Sequence, residues 1–120
     1  MRREIIDNNP ILKLTIEFSL MIISYCEELR QTNKIVVSNQ LVRSGTSIGA
    51  NCFEAQNGES KADFIHKIKI AAKEADETQY WLLICDASDS YPKCDNLSYK
   101  LIEIQKVLNK IISTSKSVQT

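Results

Sequence analysis

Apolar residues recur along this chain in alternating steps of three and four, the spacing of amphipathic helices. Leu97, Leu101, Ile104, Leu108 and Ile111 form one such stripe. Phe64, Ile68, Ala71, Ala75 and Leu82 form another, with Ile65, Ala72 and Leu83 beside it. Leu41, Gly45, Ile48, Cys52 and Ala55 share a third face. Punctuation between the stripes predicts four helices, at about 10–31, 38–57, 60–90 and 95–114. Asn9-Pro10 opens the first, because proline's missing N–H costs nothing in the first turn. Ser38 is the expected cap of the second, and Gly58 supplies a left-handed residue at its end. Ser60-Lys61-Ala62-Asp63 resembles a capping box, and Tyr91-Pro92 stops the third helix. Short connections favour antiparallel neighbours, so the expected fold is all-α: one domain, an antiparallel up-down-up-down four-helix bundle.

The first helix carries more apolar surface than one core can bury. Ile11, Leu14, Phe18, Met21 and Tyr25 make one stripe, and Leu12, Ile16, Leu20 and Ile23 make a second, almost opposite. On the third helix Tyr80, Trp81 and Ile84 point away from the Phe64–Leu82 seam. Leu12, Ile16, Leu20, Ile23, Tyr80, Trp81 and Ile84 are therefore the candidate interface, and the partner that needs the fewest assumptions is a second copy of the chain.

The second helix is the most distinctive segment. Glycine costs about 1 kcal/mol relative to alanine inside a helix, so Gly45 and Gly49 imply close approach of another backbone. Arg43, Ser47, Asn51 and Glu54 occupy the opposite face. Arg43 and Glu54 are too far apart along one helix to pair, which predicts a polar network against another helix or subunit. Glu74 and Glu77, three residues apart, are read as partners for Lys73, Lys69 or Arg43.

These residues resemble the proteins encoded in intervening sequences of bacterial 23S ribosomal RNA genes. The likeness rests on Leu41-Val42-Arg43-Ser44, Ser47-Ile48, Asn51 and Glu54, then Ser60-Lys61, Asp63-Phe64, and finally Ala71, Glu74, Glu77-Thr78 and Tyr80-Trp81-Leu82. The resemblance implies a four-helix bundle that assembles as a ring-like homopentamer. That family is in turn similar to accessory proteins of diversity-generating retroelements, which bind nucleic acid and a reverse transcriptase.

Composition narrows the chemistry. The 120 residues carry fifteen Lys plus Arg against fifteen Asp plus Glu, so the basic excess usual in nucleic-acid-binding proteins is absent. Lys61, Lys67, Lys69 and Lys73 spread around their helix and read as a charge-mixed, solvated surface. Neither a membrane span nor a secretion signal is expected. The four cysteines, Cys26, Cys52, Cys85 and Cys94, contain no C-x-x-C pair. They read as buried free thiols of a cytoplasmic protein. A bundle di-iron site needs two histidines, and the chain has only His66. No metal, cofactor or catalytic residue is expected. The function read from the sequence is a non-enzymatic, homo-oligomeric scaffold or interaction protein, with nucleic-acid binding as its alternative.

Overall fold

The computed structural model describes residues 3–119. Its helices are α1 (Arg3–Asp7), α2 (Pro10–Gln31), α3 (Ile35–Ala55), α4 (Lys61–Ala87) and α5 (Asp95–Gln119), with no strand among the described residues. Helices α2 to α5 form the bundle. Each packs most closely on the two beside it, while the short α1 lies against α2.

Cross-helix bonds fix the directions. Arg43 of α3 meets Glu74 and Glu77 of α4, whereas Glu54, further along α3, meets Lys67, earlier on α4. Likewise Ser38 reaches Cys26, while a side chain at Gly49 would strike Thr15. Tyr25 binds Pro92 and Glu17 binds Lys100. Cys94 lies over Leu82, and Gln105 over Asp76 and Gln79. In every pair the numbering rises on one helix as it falls on the other, so all four neighbours are antiparallel.

Local sequence explains most boundaries. Asn9 accepts a hydrogen bond from the Leu12 amide, and Pro10 takes the first turn of α2. Ser60 accepts from the Asp63 amide at the start of α4. Ser38 departs from its expected role: α3 already begins at Ile35, and Ser38 sits buried in its second turn. The cause is the end of α2. Asn33 adopts the left-handed conformation (φ 62°), and the Lys34 amide reaches back 2.9 Å to the Leu29 carbonyl. That tight Schellman-type turn leaves no room for a longer connection. The left-handed residue is thus Asn33, not Gly58. Gly58 has a negative φ and serves close packing, since a Cβ there would lie 3.2 Å from the Phe64 amide nitrogen.

Two ends also shift. Helix α4 stops at Ala87, because Ser88-Asp89-Ser90 offers side-chain competition to the helix and Tyr91 precedes a proline. Helix α5 continues to Gln119, its Ser/Thr-rich tail containing no Gly or Pro to halt it.

The core is built from the expected seams. Leu97, Leu101, Ile104 and Leu108 are buried on α5; Ile68, Ala71, Ala75 and Leu82 on α4; Leu41, Ile48, Cys52 and Ala55 on α3. On α2 the stripes divide differently. Leu12 is only 1% exposed and belongs to the core, which corrects its place on the outward stripe. Helix α3 closes on that flank of α2, so the buried stripe is wider than one seam. Leu83, expected beside the α4 seam, is instead exposed.

Candidate interaction surfaces

Arg43 is the centre of the polar seam between α3 and α4. Its guanidinium donates through one nitrogen to Glu74, at 3.1 Å, and through the other to Glu77. Glu77 also accepts from the Trp81 indole N–H at 3.1 Å. Two donors on one carboxylate favour its charged form, so the hydrogen bond from Arg43 foremost, then that from Trp81, holds Glu77 below the usual carboxylate range. The same bond raises Arg43 above the ordinary guanidinium value. Trp81 meets Tyr80 edge to face, with ring centroids 5.2 Å apart. Trp81 is half-buried and packs on the core. It is therefore part of the bundle wall rather than a free outward residue.

The polar face expected on α3 divides in two. Arg43 and Glu54 cross to α4, the latter pairing with Lys67 at 3.1 Å. Ser47 and Asn51 instead donate to the carbonyls of Arg43 and Ser47 in their own helix, at 2.6 and 2.9 Å. Short polar side chains within a helix find the carbonyl one turn back before they reach a neighbour.

Gly45 and Gly49 stand where α3 approaches α2. A Cβ at Gly45 would lie 2.9 Å from Ile22 Cγ2, and one at Gly49 would lie 3.0 Å from Thr15 Cβ. The close approach inferred from the glycines is present, and the neighbour is α2.

The remaining apolar candidates lie on the outside. Ile16, Leu20 and Ile23 are exposed on α2, and Ile16 and Leu20 line a groove with Phe53 of α3. Across the bundle, Tyr80 and Ile84 are exposed on α4, and Leu83 lines a second groove with Tyr99 and Ile102 of α5. The two grooves belong to opposite pairs of helices.

Residues 7–110 match the sequence model of the 23S rRNA-intervening sequence protein family. The chain belongs to this family. A crystal structure of a Bacteroides thetaiotaomicron VPI-5482 protein of unknown function, from the S23 ribosomal protein family, superposes with a TM-score of 0.81 at 39% identity. The similarity covers 85% of this chain and 97% of that one. No curated protein matches it.

In this intervening-sequence protein the four cysteines are free and buried. Burial pushes the Cys26 thiol up to about 11 and the Cys52 thiol up to about 12, and raises Cys85 and Cys94 as well. Protonated, enclosed thiols are poor nucleophiles. Among the described residues no group of His, Cys, Asp and Glu has a metal-binding arrangement, and His66 is exposed. No helix among them is long and apolar enough to cross a membrane.

Three polar contacts were not anticipated. Thr78 donates to Ser44 at 3.0 Å in the dry α3–α4 seam, Ser38 donates to the Cys26 carbonyl at 3.0 Å, and Tyr25 donates to the Pro92 carbonyl at 2.7 Å. A signal existed for the first: the seam of α4 steps from Ala75 to Leu82 in one stride of seven, and Thr78 fills the skipped position.

Proposed function

We propose that the chain is a non-enzymatic interaction protein that works as a homo-oligomer, its copies joined through the two exposed apolar grooves. The observation that carries this reading is their placement. Single apolar side chains on a surface are ordinary, but grouped ones mark contact sites. One group (Ile16, Leu20, Phe53) lies on α2 and α3, the other (Leu83, Tyr99, Ile102) on α4 and α5. Two different patches on opposite sides fit a heterologous, head-to-tail contact, and such contacts close into rings when the rotation permits. The homopentameric ring rests on the family resemblance. Absence of catalytic activity is supported by the use of the polar side chains: Glu74 and Glu77 are held by Arg43, and the thiols are enclosed.

Light scattering on the purified chain tests the reading. A mass several times 13.6 kDa is expected at micromolar concentration. Leu20→Glu together with Leu83→Glu places a charge in each groove without touching the core and should give a folded, helical monomer. A wild-type monomer would refute the proposal, and so would a double variant that keeps the wild-type mass.

A further inference from the structure

The α2–α3 groove is apolar except at one point. Ile16, Leu20 and Phe53 stand around it, and the small residues Ser19, Gly49 and Ala50 leave the space between them. Ser19 is half-buried, and its hydroxyl has no hydrogen-bond partner among the described residues. An apolar cleft with a lone polar group suits a side chain of the same design, an apolar body ending in a polar tip. Leucine or phenylalanine entering it would leave the hydroxyl enclosed without a partner, and lysine would bury a charge. Tyrosine meets both demands.

The opposite side of the molecule offers one. Tyr99 is 72% exposed, more than Leu83 or Ile102 beside it in the α4–α5 groove. Tyr80, also exposed, lines neither groove. Charge runs the same way. Asp95 and Glu103 stand one turn to either side of Tyr99, both exposed and in no ion pair among the described residues. No carboxylate lines the α2–α3 groove, and Glu17 next to it is held by Lys100. Lys13, one turn before Ile16, is exposed and makes no ion pair among the described residues.

We propose that Tyr99 of one copy enters the α2–α3 groove of the next, its ring against Ile16, Leu20 and Phe53 and its hydroxyl donating to Ser19 Oγ. This assignment rests on the homo-oligomer reading above and names the side chain that makes the contact. Leu20, 64% exposed, then lies against Leu83 and Ile102 of the entering copy, so each face gives one protruding side chain and receives one.

Analytical ultracentrifugation of the full chain over a concentration series tests this. Tyr99→Ala should weaken assembly by at least about thirtyfold, the loss of a buried aromatic anchor. Tyr99→Phe and Ser19→Ala should each weaken it by roughly two- to tenfold, the net value of one hydrogen bond. Tyr80→Ala should change nothing. Ala50→Leu fills the groove and should also give a monomer. Tyr99→Ala and Ala50→Leu each keep the half that the other lacks, so their mixture should form a 1:1 dimer and nothing larger. Circular dichroism establishes that each variant is folded; should Ala50→Leu fail to fold, Leu20→Glu takes its place. A monomeric wild type refutes the homo-oligomer reading and this contact with it. An oligomeric wild type whose folded Tyr99→Ala variant keeps its affinity overturns the contact alone. So does failure of the two folded variants to combine, or wild-type affinity in both Tyr99→Phe and Ser19→Ala.

Discussion

Gly45 faces Ile22 across the α2–α3 contact with no space for a side chain: a Cβ would meet the branch atoms Cγ2 and Cγ1 of Ile22 at 2.9 and 3.0 Å. Ile22 is fully buried, and these atoms lie next to its backbone, so they cannot swing aside. Gly45→Ala should therefore destabilise the bundle, although alanine gains about 1 kcal/mol of helix propensity. Overpacking of about 1–3 kcal/mol outweighs that gain. The decisive measurement is a double-mutant cycle in urea. In an Ile22→Ala background the obstruction is gone, and the same glycine substitution should become neutral or stabilising. Equal effects in both backgrounds would show that the contact does not limit this position.

The buried hydroxyl pair of Ser44 and Thr78 makes a second cycle. The Thr78 oxygen also lies 2.8 Å from the Glu74 carbonyl, so its one hydroxyl hydrogen is shared between its own helix and the neighbouring one. Thr78→Val leaves Ser44 with only a long 3.5 Å contact to the Leu41 carbonyl in a dry seam. The expected cost is about 1–3 kcal/mol, the penalty for a buried polar group without a partner. Ser44→Ala in the same chain should recover part of the loss. Additive effects of the two substitutions would mean that the hydroxyls do not act as a pair.

The bundle was legible in the sequence because its determinants are local. The stripe Leu97–Leu108 records which side of α5 is buried, and Ser60 and Asn9 record where helices begin. What escaped depends on neighbours. Leu12 and Ile16 stand one turn apart with the same apolar character, yet only the packed helices decide that one is core and the other surface. Ser38 has the chemistry of a cap, but the left-handed Asn33 moves the helix start ahead of it. The polar site was half legible. That Arg43 needed an external partner followed from its distance to Glu54. That Glu74 and Glu77 both serve it required the register of α3 against α4, which no periodicity within one helix contains.

The cysteines should be silent in the folded chain. With Cys26 raised to about 11 and Cys52 to about 12, almost no thiolate exists at neutral pH, and burial denies reagents access. A disulfide-exchange reagent should label them slowly in native buffer and count four free thiols at once in denaturant under non-reducing conditions. Two or fewer in denaturant would reveal disulfides.

Trp81 reports on the Arg43–Glu77 pair, because it is the chain's single tryptophan and its indole N–H donates to Glu77. Glu77 in the folded chain titrates below its ordinary value, the hydrogen bond from Arg43 being the largest cause. A carboxylate depressed by folding stabilises the native state at neutral pH. That contribution fades as pH falls through the usual glutamate range, about 4.3, and is gone below the folded value. The pair is partly solvated, so the loss of stability should be small and sensitive to salt. Tryptophan emission should shift with an inflection below that of an unperturbed glutamate. Arg43→Gln removes the main stabiliser of the charged form and should move the inflection upward, while Glu77→Gln should abolish it at unchanged helicity. An inflection that ignores Arg43→Gln would mean that another carboxylate controls the indole, and that the Arg43–Glu77 bond does not hold in solution.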